Sequence, residues 1–227
     1  MAPAVSPRTV HIVDAHLIYP EWSEGSLTRA LTARAVSHLR QQGHRVTVTT
    51  VEDSYDPEVE VQRHLDADLV VLQTPVNWFS APWIYKRYVD EVFNAGLNNN
   101  TFMDDDGRTR SDPSRQYGTG GHMHGRGFLV SATWNAPVEA FDNPDGILFG
   151  GNSVDDVYIN LTASYKFVGY EILKSYSIYD IFHNDNLETE ISDFARHLDE
   201  QLAALAVATS GFSRGGAAAA ADRVSSL

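Results

Sequence analysis

The sequence predicts an α/β fold, an open five-stranded parallel sheet with helices on both faces. Two observations predict it. Short β-rich runs alternate along the chain with stretches of helical periodicity, the pattern of a parallel sheet closed by right-handed crossovers. One of those runs, "DLVVLQ", is almost wholly apolar after its Asp, as a strand buried on both faces must be. The chain of 227 residues, 43% hydrophobic and 21% charged, is long enough for one large domain.

The elements follow in order. "TVHIVD", Thr9–Asp14, reads as the first strand. In "SEGSLTRALTARAVSHLRQQGH", Leu27, Leu31, Ala35, Val36 and Leu39 recur at helical spacing and Gly43 marks the stop. "RVTVTTV" is the second strand. "DPEVEVQRHLDA" is a short helix with Pro57 in its first turn. After "DLVVLQ", residues 81–94 are helical, with Ile84, Tyr88, Val89 and Val92 on one side. "RGFLVSAT" is the fourth strand, "SVDDVYINLTASYKFVG" a helix, "YEILKSYSIYDI" the last strand and "NLETEISDFARHLDEQLAALA" the last helix. Residues 95–124 have little periodicity; a loop of that length is functional or disordered. Residues 1–208 are expected to form a single domain and 209–227, a low-complexity stretch, a disordered tail.

Composition narrows the chemistry. There is no cysteine, which excludes disulfides, thiolate catalysis and Cys-ligated metals and agrees with a reducing cytoplasm. The N-terminal stretch has no long apolar run, so neither a signal peptide nor a membrane span is expected. The net charge of −13 disfavours nucleic acid. There is no GxGxxG and no Walker A lysine, and no serine sits in a G-x-S-x-G elbow. His122 and His124 lack a third ligand at matching spacing, and Asp104–Asp106 lacks the calcium-loop pattern, so no metal is expected. Tyr158 and Tyr165 read as packing residues.

In open parallel sheets, ligands bind beyond the carboxyl ends of the strands. That places a candidate site on residues 15–28, 74–79 and 133–137. The first stretch holds "SEGSLT", whose hydroxyls and helix-start N–H groups suit a phosphate; the alternative is a plain N-cap on Ser23 or Ser26. The second holds Trp78, Phe79 and, nearby, Trp83. These rings either line a slot for a planar molecule or pack a core or subunit contact. Backbone N–H groups of Val76, Asn77 and Trp78 are expected to point at ring heteroatoms. The third, "TWNAPVEAF", brings another Trp to the same edge. Two aromatic turns and one hydroxyl-rich turn suit a flat cofactor with a phosphate tail, a flavin.

Together "QTPVNWFSAPWIYKRYVDEVF", "DGRTRSDPSRQYGTGG" and "TWNAPVEAF" resemble the flavodoxin-like NAD(P)H:quinone oxidoreductases of the bacterial modulator-of-drug-activity-B type, over residues 9–205. The resemblance implies a flavodoxin-like fold, a homodimer, bound FAD rather than FMN, and NADPH as the donor for ping-pong two-electron reduction of a quinone or similar planar acceptor. It assigns Ser23, Gly25, Ser26, Leu27 and Thr28 to the phosphates. Pro75, Val76, Asn77, Trp78 and Phe79 run along the ring, and Thr133, Trp134, Asn135 and Ala136 form the third flavin turn. Tyr117, in the long loop, contacts FAD and is the candidate proton donor. Arg108, Arg110 and Arg115 are candidates for a 2′-phosphate. The first turn is longer and more acidic than the family's Lys-bearing turn, and "VNWF" stands where Gly-Trp-Trp is usual. A flavodoxin-type electron carrier and a flavin-less scaffold for another planar molecule are the competing readings.

Overall fold

Six parallel strands and six helices alternate along the chain in the computed structural model, which describes residues 6–21 and 23–210. They run β1 (Thr9–Asp14), α1 (Ser26–Gln41), β2 (Arg45–Thr50), α2 (Pro57–Asp66), β3 (Leu69–Pro75), α3 (Trp83–Asn98), β4 (Gly127–Thr133), α4 (Val154–Val157), α5 (Ile159–Phe167), β5 (Glu171–Ile172), β6 (Tyr176–Ile178) and α6 (Leu187–Ala208). The sheet order is β2-β1-β3-β4-β5, with β6 also paired to β4. Residues 211–227, most of the expected tail, lie outside the described residues, as does Trp22.

Strand periodicity sorts the core into two layers. Val70 and Leu72 of β3 and Phe128 and Val130 of β4 pack against Tyr88 and Val92 of α3 and Tyr165 of α5. Leu69 and Val71, with Leu129, face Leu31 and Leu39 of α1 and Phe194, Leu198 and Leu202 of α6. Tyr158 and Tyr165 are both buried, as their helical spacing suggested.

Three elements differ from expectation. The last strand is two pieces, because Lys174 and Ser175 leave the ladder. The Lys174 N–H donates to Gln201 Oε1 at 3.2 Å and the Ser175 N–H to Asp155 Oδ1 at 3.3 Å, so side chains of α6 and α4 replace the sheet. The helix before it breaks at Tyr158, whose hydroxyl is held by Ser177 at 2.8 Å and by Trp134 Nε1–H at 2.6 Å. Helix α3 continues to Asn98 because Phe102 folds back onto Gly96, where a Cβ would meet its ring at 2.5 Å. The following loop is ordered by that wedge: the His122 N–H donates to Phe102 O at 2.8 Å and the Met123 N–H to Val168 O at 2.9 Å.

Candidate functional site

The carboxyl ends of β1, β3, β4 and β6 carry the three predicted turns along one edge of the sheet. In the first turn Asp14 is buried, accepting from the Thr32 hydroxyl at 2.6 Å and pairing with His16 Nδ1 at 2.6 Å. The buried carboxylate thus serves the β1–α1 junction rather than facing the site. Gly25 occupies the N-cap of α1 at φ +66°, and a Cβ there would sit 2.6 Å from His16 Cδ2. Neither Ser23 nor Ser26 caps the helix. No side chain caps its first turn, where the N–H groups of Ser26, Leu27 and Thr28 lie at the positive end of the helix dipole.

The second turn is the strained part of the site. Asn77 and Ser80 exchange backbone hydrogen bonds at 2.7 and 3.1 Å across a two-residue turn formed by Trp78 at φ +49° and Phe79 at φ +66°. Left-handed backbone at a bulky residue costs on the order of 1 kcal/mol or more, and such outliers cluster at functional sites. Of the backbone donors expected to reach a ring, Val76 N–H donates to Thr133 O at 2.9 Å and Asn77 N–H to Ser80 O, so both are used within the fold. Of the three, Trp78 remains. Asn77 also ties this turn to the first, through its amide and the Tyr19 hydroxyl at 3.3 Å.

The aromatics divide. Trp134 is 2% exposed and packs on Phe141 at 5.1 Å, so its side chain belongs to the core and only the backbone of the third turn faces the edge. There the Trp134 N–H is taken by Ile178 O at 2.8 Å, while Asn135 is exposed. Trp78, by contrast, is 94% exposed, Trp83 63% and Phe79 44%. Phe79 is steadied edge-on by Phe149 at 5.9 Å. Burial raises the pKa of the Tyr158 phenol behind Trp134, which fits it for packing and not for proton transfer.

Tyr117 does not join this group. It packs on Phe167 at 4.9 Å, under the Arg108 guanidinium, at the carboxyl end of α5. That is beside the start of β4, so the length of this strand, roughly 20 Å, separates Tyr117 from the three turns within one chain. The long loop returns to the amino ends of the strands, which its lack of periodicity did not disclose. His122 Nε2 lies 3.3 Å from Asp104 Oδ2, but no group of three or more metal-ligating side chains occurs among the described residues. No helix among them is long and apolar enough to cross a membrane.

The strand order and the alternation of strands and helices define a flavodoxin-like protein. A family model described as a flavodoxin-like fold matches residues 8–202, and the chain belongs to that family. It is 34% identical over 178 residues to the NADPH:quinone oxidoreductase MdaB of Haemophilus influenzae, covering 78% of this chain and 91% of that protein. It is equally 34% identical to a Schizosaccharomyces pombe protein of unassigned function, covering 78% and 89%. Among solved structures, a candidate quinone reductase from Klebsiella pneumoniae superposes with a TM-score of 0.67 at 22% identity, over 85% of this chain and 84% of that one. The general stress protein 14 of Treponema denticola, solved with FMN, has a TM-score of 0.58 at 20% identity, over 88% and 99%. These two share the fold.

Proposed function

We propose that the chain is a flavin-dependent NAD(P)H:quinone oxidoreductase working at this edge. The observation that carries the reading is the Trp78–Phe79 turn. It holds two large rings in left-handed backbone and leaves Trp78 in water, an arrangement unfavourable in strain and in apolar exposure unless a flat partner covers it.

The residues present fit a flavin. The uncapped start of α1, at Ser26, Leu27 and Thr28, would hold its phosphates, with Gly25 supplying the left-handed turn that leads into the helix. Trp78 and Phe79 would wall the ring. The turn at the exposed Asn135 would meet its polar edge, where N–H donors favour negative charge. When bound, a flavin supplies two-electron hydride chemistry between a nicotinamide donor and a quinone. The side chains orient both partners against one slot, so that donor and acceptor take turns in it and each transfer is effectively unimolecular. The balance is one hydride from the nicotinamide plus one proton from solvent, giving the hydroquinone. The buried Tyr158 does not supply that proton. Tyr117 lies away from the slot within one chain, and the homodimer that we propose would bring it there from a second copy. The resemblance over the three motifs favours FAD, although relatives of this fold are solved with FMN. NADPH is the proposed donor and the cytoplasm the proposed setting.

The test is an absorption spectrum of the purified protein, chromatography of the released cofactor, and anaerobic titration with NADPH. Bound flavin that bleaches with NADPH and recovers with a quinone supports the reading. A colourless protein unchanged by FAD or FMN overturns it.

A further inference from the structure

The two outer strands of the sheet are finished differently. On the β5–β6 side the strand is short and broken, because Lys174 and Ser175 turn to side chains of α6 and α4. A broken strand offers no continuous ladder to another chain. On the other side β2 is outermost, six residues of "RVTVTT" with no Pro, Gly or Lys. The Arg45 N–H donates to Arg8 O at 2.8 Å and, just past the strand, the Val51 N–H donates to Asp14 O at 3.0 Å. Odd-numbered residues therefore turn their backbone inward to β1, and Val46, Val48 and Thr50 turn theirs outward. The Val46 carbonyl accepts from the Arg40 guanidinium at 3.3 Å and the Thr50 carbonyl from the Asp53 N–H at 3.1 Å. The outward N–H groups of all three residues, and the Val48 carbonyl, have no hydrogen-bond partner among the described residues.

A groove of about 410 Å³ lies along this strand beside α2, lined by residues that include Val48, Thr50, Asp53, Asp56, Val59 and Arg63. Its charge is ordered. The exposed Asp53 and Asp56 lie where β2 gives way to α2. Helix α2 then returns antiparallel to the strand, bringing Asp66 within 3.6 Å of Arg45. Arg45 and Arg40 thus mark the opposite end from Asp53. Val48 and the 48% exposed Val59 fall between the two ends.

We propose that β2 pairs antiparallel with β2 of a second copy, about a two-fold axis through Val48, joining two sheets into one. In that register Val48 faces Val48 of the second copy, and Val46 faces its Thr50. Every outward N–H then finds a carbonyl. Arg45 and Arg40 of each copy come beside Asp53 of the other. The patch is basic at one end, apolar in the middle and acidic at the other, the self-complementary order that a two-fold contact requires. This contact uses the side of the sheet and not the edge that carries the three turns. It is therefore independent of the flavin reading, and it adds to the homodimer proposed at the slot.

The experiment is sedimentation velocity and native mass spectrometry of the full chain, beside Val48→Pro, R45E, D53R and R45E/D53R. Proline at 48 removes an outward N–H and leaves the ladder to β1 intact; circular dichroism checks its fold. The native assembly should have twice the mass of Val48→Pro at the same concentration. R45E and D53R should each weaken association about tenfold or more, since a two-fold contact applies every change twice, and R45E/D53R should recover most of that loss. Hydrogen exchange at the Val48 and Thr50 amides should be slow in the native assembly and fast in R45E. If the proline variant unfolds, the charge variants and the exchange carry the test. A native protein with the mass of a folded Val48→Pro overturns the proposal, whether both are monomers or both are the slot homodimer. So does an association that R45E and D53R leave unchanged, or exchange at Val48 and Thr50 as fast in the native protein as in R45E.

Discussion

His64 links the stability of this fold to pH. It is fully buried at the end of α2, between two tyrosines. Tyr88 gives its hydroxyl proton to Glu60 Oε2 at 2.8 Å, so the Tyr88 oxygen accepts from His64 Nε2–H at 3.0 Å. His64 Nδ1, 2.9 Å from the Tyr170 oxygen, then accepts that hydroxyl's proton. The neutral ring is satisfied at both nitrogens, and a second N–H would have no acceptor without reversing Tyr170. Burial, reinforced by the charge of His11 and opposed by that of Glu60, lowers the His64 pKa to about 3 from an ordinary 6.5. The folded value lies below the unfolded one, so the unfolded chain takes up the extra proton. The stability is complete above pH 6.5 and is lost as pH falls from there toward 3. At pH 5 the loss from this residue is about 2 kcal/mol, 1.5 pH units at ~1.4 kcal/mol each.

The assay is urea unfolding followed by tryptophan fluorescence at pH 8 and pH 5, for the native protein and His64→Gln. Glutamine can accept from Tyr170 and donate to Tyr88 but does not titrate. The variant is the less stable at pH 8, and its deficit should shrink by about 2 kcal/mol at pH 5. A deficit that is the same at both pH values would refute the argument, because His64 would then hold the same charge folded and unfolded. Glu60 adds to acid sensitivity in a lower window. Burial works to raise its pKa, but hydrogen bonds from His11, Tyr88 and Thr49 and the His11 charge outweigh it and hold the group at about 2. Its contribution is present above pH 4.5 and is lost as pH falls toward 2.

Three substitutions test the rest. Gly25→Ala places a Cβ 2.6 Å from a His16 ring pinned by Asp14, in left-handed backbone; a loss of about 2 kcal/mol or more is expected by thermal melting, together with weakened flavin retention in dialysis. Trp78→Ala removes a ring that is 94% exposed, so stability in urea unfolding should hold within about 0.5 kcal/mol while flavin affinity drops tenfold or more by fluorescence titration; the reverse pattern would make Trp78 a packing residue. Gln73→Met replaces a buried amide whose nitrogen and oxygen both lack a partner, and should stabilise by about 1 kcal/mol in urea unfolding.

How much of this was legible in the sequence depends on how local the signal is. Helix and strand periodicity is local, and it placed β1 to β4, α1 to α3 and α6 and assembled three turns on one edge. The apolar run of β3 marked the central strand because burial on both faces leaves no room for alternation. The resemblance in three motifs pointed to the family before any coordinate did. Other features depend on where distant segments meet, and there the tertiary structure decided. Trp78 and Trp134 both follow strands in similar motifs, yet one lies in water and the other in the core. A left-handed turn expels the first, while Phe141, Phe149 and Tyr158 enclose the second. Tyr117 is carried to the opposite end of the sheet by Phe102 docking on Gly96, a contact that periodicity does not encode. The last strand was read as continuous because its composition is β-rich throughout, but partners on α4 and α6 claimed its middle N–H groups. Sequence alone determined which segments form strands and helices, because that choice rests on neighbours in the chain. Which side chains face the site, and with what charge, was settled only when segments far apart in sequence came together.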